Sequence, residues 1–212
     1  RRQSLDFEIR ETPETQEFRR GVSAWLDQNI PDDYPFHADP RDYTYSDFLK
    51  TREFGRKLGT KGWLWPTAPK EYGGGGLDIE HGIVIEDELS RRDLSSPPYY
   101  DPGARYGAPV LMVWGTEEQK KKWLPHMFAG EVVGWQLFTE PGAGSDLYSL
   151  TTTAVRQGDY YILNGQKAFV GTAYDVDYWV ILVRTDPKGD RYKNLGWFHM
   201  PATLPGISRS PM

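Results

Sequence analysis

The spacing of apolar residues changes character at Gly130. Before it they recur at helical intervals: Phe18, Val22, Trp25 and Leu26, then Phe48, Leu49, Phe54 and Leu58, then Trp123, Leu124 and Met127. After it, short apolar stretches at 132–138, 151–156, 160–163, 178–184 and 195–200 are punctuated by glycine, asparagine and proline. The two periods cannot share one element, so the expected fold class is α+β. It comprises a helical domain over residues 1–130 and a β-domain over 131–212. A chain of 212 residues accommodates one or two such domains with a sizeable core.

Helix boundaries follow from local chemistry. Thr12-Pro13-Glu14 offers a hydroxyl cap, a proline in the first turn and an acidic residue beside the positive helix end. That helix ends at Pro31. A second is expected over Tyr45–Leu58 with Gly59 as its stop, and a third from the Asp78 cap to about Leu89, burying Ile79, Ile83 and Leu89. Gly115 ends a fourth, and Thr116 to Gln119 has capping-box spacing for a fifth. Gly73-Gly74-Gly75-Gly76 is expected to be a flexible turn, because the Lys-Ser/Thr of a phosphate loop does not follow it. Asp39 and Asp42 lack the spacing and glycine of a calcium loop, and no metal site is expected. In the second half, Gly158-Asp159 and Asn164-Gly165 are turn signals, with strands expected at Gln166–Val170 and opening at Ile207.

Bulk properties exclude several function classes. A net charge of −5 argues against a nucleic-acid or membrane-surface binder, whose footprint is basic. With no cysteine there is no disulfide framework and no thiolate chemistry, which suits a reducing cytoplasm. No apolar run approaches the roughly 20 residues that span a bilayer, and no apolar signal region follows Arg1-Arg2-Gln3. The last residues, Pro205 to Met212, read as a turn and a strand cut partway, which would leave an open sheet edge. The expectation is a fragment of a longer chain.

The stretch with most chemistry is Gln136 to Leu147, where an apolar strand breaks at Pro141 into small residues, a hydroxyl and a carboxylate. Taken bare, Pro-Gly-x-Gly-Ser-Asp is also an ordinary tight loop. Its full form, Thr139-Glu140-Pro141-Gly142-Ala143-Gly144-Ser145-Asp146, resembles the flavin-binding signature of the acyl-CoA dehydrogenase family. Other blocks are similar to the family's in the same order: Pro69-Lys70-Glu71-Tyr72-Gly73-Gly74, Gly115 to Lys120, Trp123-Leu124-Pro125, Leu163-Asn164-Gly165-Gln166-Lys167 and Arg184-Thr185-Asp186.

That resemblance implies an α+β fold, an amino-terminal α-helical bundle followed by an antiparallel β-barrel-like or sandwich middle domain and truncated before a carboxy-terminal helical bundle, with FAD as cofactor and α,β-dehydrogenation of an acyl-CoA thioester. It places Gln136, Leu137, Phe138, Thr139, Gly144 and Ser145 at the flavin, with Ser145 also near the substrate thioester. A second flavin contact in the family is Trp-Ile-Thr (or Ser); here it is Phe169-Val170-Gly171, with Thr172 next in line. The aromatic wall persists, and the hydroxyl facing the hydride-accepting nitrogen is gone. Tyr99, Tyr100 and Arg105 fall where the family lines its acyl pocket, or simply pack around a helix start. The catalytic residue is unknown, because the family's general base is a Glu expected beyond Met212. Glu140 and Asp146 are expected to hold the loop by accepting N–H bonds. The resemblance further implies electron-transfer flavoprotein or another acceptor as partner, and a homo-oligomer, dimer or tetramer. Alternatives are a flavin oxidase or monooxygenase on the same fold, and a non-catalytic partner subunit of a heteromeric dehydrogenase.

Overall fold

The computed structural model describes residues 11–36, 42–94, 101–171 and 175–210. The chain forms two compact units, Arg1–Tyr99 and Tyr100–Met212. Among the described residues there are five α-helices and one five-stranded sheet, and no helix is long and apolar enough to cross a membrane.

The first unit holds α1 (Pro13–Asn29), α2 (Tyr45–Thr60) and α3 (Ile79–Ser90). Each begins where a side chain accepts from an orphan backbone N–H: Thr12 from Thr15, Thr44 from Asp47, and Asp78 from His81. Val22, Leu26, Phe54, Leu58, Ile85 and Leu89 form their shared core, with Phe18, Trp25 and Trp63 at its margin. The charged groups crossing this core are paired. Glu88 is 4% exposed and accepts from Arg19 and Arg92, both at 2.7 Å. Burial pushes the Glu88 carboxyl up, but the two guanidinium groups outweigh it and hold it below its ordinary range.

Two expectations for this unit are corrected. Ile79 and Ile83 are 73% and 42% exposed, because α3 buries the adjacent face through Gly82, Ile85, Glu88 and Leu89. The glycine run is also a packed loop and not a flexible turn. Its backbone N–H groups bond to Pro69, Trp65 and Ala68 carbonyls. A Cβ on Gly75 would stand 2.5 Å from the carbonyl oxygens of both Gly62 and Pro66.

The second unit opens with α4 (Pro102–Trp114) and α5 (Glu117–Phe128), separated by Gly115 and the Thr116/Gln119 capping box. The strands follow as β1 (Gly134–Leu137), β2 (Thr153–Gln157), β3 (Tyr160–Asn164), β4 (Tyr178–Arg184) and β5 (Leu195–Pro201). The apolar β4 is central. It pairs in parallel with β1 and, at its far end, with β2, and antiparallel with β5; β2 and β3 make an antiparallel hairpin. The sheet is therefore mixed, since the hairpin lies between β1 and β4 in sequence and returns the chain to β1's starting side. Residues 166–170 form no strand, and none opens between Ile207 and Ser210.

The two sheet faces differ. On one, Leu137, Ala154, Ile181, Val183, Phe198 and Met200 pack together. On the other, Gln136, Val180 and His199 stand in one cross-strand row. Helix α4 lies over this second face at close range because it presents glycine there: a Cβ on Gly107 would meet His199 Cε1 at 2.7 Å and Val180 at 3.1 Å. Asp101 caps α4 at Ala104 N (3.0 Å) and also accepts from Gly134 N (2.9 Å), pinning the helix start to β1. His199 sits among Trp123, Tyr178 and Trp197 with neither ring nitrogen hydrogen-bonded, and burial draws its pKa down to about 4, so it is neutral near pH 7.

Candidate functional site

Strand β1 delivers Phe138 and Thr139 to the start of the signature turn. Phe138 follows Gln136 onto the α4 face of the sheet, its ring 5.9 Å from Tyr106 and 5.2 Å from Trp197. Leu137 points the other way, into the opposite core. Of the strand residues expected at a flavin, Leu137 thus reaches a ligand only through its backbone.

The turn itself is closed by Glu140 and Ala143, which exchange backbone hydrogen bonds at 2.9 and 3.1 Å. Pro141, Gly142, Gly144 and Ser145 are exposed on it. A Cβ placed on Gly142 or Gly144 meets nothing within 4 Å. Neither glycine is required by its own chain's packing, and the backbone there is open to an incoming group.

Glu140 anchors the turn from beneath. It is 4% exposed and accepts from Thr151 N (2.6 Å), Thr151 Oγ1 (2.8 Å), Thr152 N (2.9 Å) and Lys167 Nζ (2.9 Å). Burial raises its pKa, and the bonds from Thr151, Thr152 and Lys167 outweigh that and hold it at about 2. A carboxylate so saturated with donors is a structural acceptor, and a poor proton acceptor at neutral pH. Asp146 plays a different part from the one expected: it is exposed, accepts from the Ser149 hydroxyl and pairs with Arg191. Those partners hold its carboxyl below the usual range.

Across the same unit, the segment after the Asn164-Gly165 turn is tied to the strand end. Ala168 N donates to Thr139 O (2.9 Å), and Lys167 Nζ donates to Phe138 O (3.0 Å). The structure thus brings Phe138 and Thr139 together with the chain leading into Phe169, Val170 and Gly171. Phe169 adopts φ +56° and is 70% exposed, an uncommon backbone conformation for a bulky residue. A Cβ on Gly171 would sit 3.2 Å from Trp135 Cζ2, so the indole crowds the position where the family carries a hydroxyl side chain. Arg105 is exposed on α4. Thr172, Tyr99 and Tyr100 lie outside the described residues.

Lys167 and Trp197 were not singled out by the sequence as site residues. Lys167 carried a signal all the same, as a lone cation between a turn and an aromatic residue, where a solvated position is the ordinary reading.

With this geometry in view, the comparisons with known proteins are decisive. The acyl-CoA dehydrogenase N-terminal domain matches residues 12–131, and the acyl-CoA dehydrogenase middle domain matches 136–212. The chain belongs to the acyl-CoA dehydrogenase family. Among similar proteins, acyl-CoA dehydrogenase FadE29 of Mycobacterium tuberculosis is 40% identical over 157 residues, covering 74% of this chain and 40% of that protein. FadE26 of the same organism is 32% identical over 204 residues, covering 95% and 50%. Among solved structures, the Tcur3481-Tcur3483 steroid ACAD superposes with TM-score 0.74 at 36% identity, covering 96% of this chain and 51% of that one. The ChsE4-ChsE5 complex from Mycobacterium tuberculosis gives TM-score 0.77 at 32% identity, covering 96% and 51%. The chain spans about half the length of the family relatives it matches.

Proposed function

We propose that this chain is the flavin-holding part of an FAD-dependent acyl-CoA dehydrogenase that removes hydrogen from the α and β carbons of an acyl-CoA thioester. Residues 1–130 and 131–212 would be its amino-terminal and middle domains, a division that the family matches at 12–131 and 136–212 support. The observation that carries the reading is the open turn at Gly142 and Gly144, placed directly after Phe138 and Thr139. The residues fit a flavin in two respects. An exposed aromatic ring, Phe169, offers a flat contact, and the exposed turn through Ser145 offers backbone donors to a pyrophosphate. Bound there, FAD supplies the acceptor for the substrate's β-hydride.

The chain's own residues would orient and shield. Gln136, Phe138 and Thr139 would present the strand end to the ring, with Leu137 contributing backbone alone. Gly144 and Ser145 would hold the phosphates, and Phe169, Val170 and Gly171 would wall the opposite edge, with Thr172 beside them. Ser145, Arg105, Tyr99 and Tyr100 are proposed on the substrate side. The general base is proposed to lie in the part of the protein outside this chain. A cytoplasmic homo-oligomer, dimer or tetramer, that passes electrons to electron-transfer flavoprotein completes the proposal.

The test is the visible spectrum of the complete protein, followed by anaerobic mixing with acyl-CoA thioesters of varied length and branching. A steroid-type thioester belongs in the panel because one similar structure is described as a steroid ACAD. Bound FAD that bleaches with one thioester is the expected result; flavin that none of them bleaches overturns it.

Gly171 favours a second reading. With no hydroxyl at the flavin edge and Trp135 crowding the position, reduced flavin would meet oxygen in a changed environment, as an oxidase or monooxygenase requires. Rapid oxygen consumption by the reduced protein selects it. A non-catalytic partner-subunit reading is supported by likeness to a two-component complex, ChsE4-ChsE5. Protein that stays colourless after FAD is added selects that one.

A further inference from the structure

Lys167 has a buried ammonium with two different obligations. Its side chain is 6% exposed and that of Glu140 3%, and it donates to Glu140 Oε1 at 2.9 Å and to Phe138 O at 3.0 Å. A charge brought this far out of water needs a counter-ion, and Glu140 supplies it. Pairing alone does not explain the second bond. A carboxylate offers about four lone-pair sites, and Thr151 N, Thr151 Oγ1, Thr152 N and Lys167 Nζ fill them. With the pair satisfied, the ammonium's remaining donors are available to the strand end.

That bond acts beside another. Ala168 N holds Thr139 O at 2.9 Å, so successive carbonyls, those of Phe138 and Thr139, are each gripped by successive residues, Lys167 and Ala168. No strand exists over residues 166–170 to fix this register by a regular ladder. The side chain of Lys167 substitutes for the missing rung. Immediately beyond it, Phe169 takes its left-handed conformation and turns its ring outward.

We propose that Lys167 is a positioning residue: held by Glu140, it fixes the Phe138–Thr139 peptide against the 167–171 segment, so that both sides of the flavin site are set by one ion pair. This rests on the flavin reading above. The pair cannot act by proton transfer, since Glu140 is fully engaged by donors and Lys167 faces a carbonyl and a carboxylate.

The complete protein tests this with four forms: wild type, Lys167→Met, Lys167→Met combined with Glu140→Gln, and Thr151→Val. Three quantities are read: thermal stability, FAD affinity with its visible spectrum, and amide exchange at Ala168. Lys167→Met is expected to lower FAD affinity on the order of tenfold or more, the scale of one lost charge-assisted hydrogen bond, and to speed exchange at Ala168. The double variant removes the uncompensated charge and regains stability, while FAD affinity stays low because Phe138 O still lacks its donor. Thr151→Val takes one bond from the same carboxylate, and is expected to lower stability while keeping the wild-type affinity and spectrum. If Lys167→Met does not fold, the double variant carries the test. Recovery of both stability and FAD affinity in the double variant overturns the proposal, because Lys167 would then matter only as a buried charge. Wild-type protein that takes up no FAD overturns the flavin reading instead. In that event Ala168 exchange still reports on the clamp, and unchanged exchange in the Lys167→Met form overturns it.

Discussion

The chain contains two glycine-rich stretches, and they are glycine-rich for opposite reasons. At Gly74 and Gly75 a Cβ would strike neighbouring backbone, and Gly73 and Gly76 occupy left-handed conformations, φ +89° and +57°. Those glycines are demanded from within, by a loop that folds onto Trp65, Pro66 and Ala68. At Gly142 and Gly144 neither demand exists: there is open space, and neither is among the positive-φ glycines. A small residue with no internal reason to be small leaves its backbone open to a ligand, which is what the proposed cofactor turn requires.

The comparison is broken most forcefully at Gly75. Gly75→Ala places a methyl 2.5 Å from two carbonyl oxygens, and is expected to cost about 3 kcal/mol in urea unfolding, at the upper end of overpacking effects. A cost below about 1 kcal/mol would show that the loop can yield. Acid comes next, and it acts on the signature turn. Glu140 has a lowered pKa, so its contribution is fully present above its unfolded value of about 4.5 and disappears as pH falls to about 2. On the order of 3 kcal/mol should be lost across that window. Replacing Glu140 with Gln should flatten this part of the pH–stability curve. A smaller effect separates conformation from crowding: Gly158→Ala, at φ +61° with nothing within 4 Å of the added Cβ, meets the left-handed penalty alone, about 1 kcal/mol. Smallest is Gly144→Ala, expected to change folding stability by less than about 0.5 kcal/mol. It should nonetheless weaken FAD measurably in a fluorescence titration; if it leaves FAD untouched, the open turn is not where the cofactor lies.

What was legible in the sequence was local. Thr12, Asp78 and the Thr116/Gln119 box started helices where the structure starts them, because a cap is satisfied within three or four residues. The apolar run at Tyr178–Arg184 and the hairpin around Gly158-Asp159 were equally plain. Ile79 and Ile83 show the limit of that reading. Their spacing is helical, but which helical face is buried depends on α1 and on Glu88 being neutralised by Arg19 and Arg92. The packed glycine loop was hidden for the same reason, since its restraint comes from residues near Trp65 and not from the glycines. At the candidate site, the signature residues were recognised as a string. Lys167 lay in a recognised block, but its role was not legible, because its partners Phe138 and Glu140 become neighbours only when the chain returns from the β2–β3 hairpin.

The parallel pairing of β1 with β4 sets an order of events during folding. The β2–β3 hairpin and helices α4 and α5 can form from sequence neighbours, on microsecond scales. Strand β1 has no neighbour to pair with until the hairpin is behind it and β4 has been made. Closing that long loop is an entropic cost met late, as for other non-local pairings. The strand that leads into Phe138 and Thr139 is therefore expected among the last to find its place. On a ribosome, β1 lacks its strand partner until β4 has emerged, and a ligand held at the strand end meets a finished sheet only after that point.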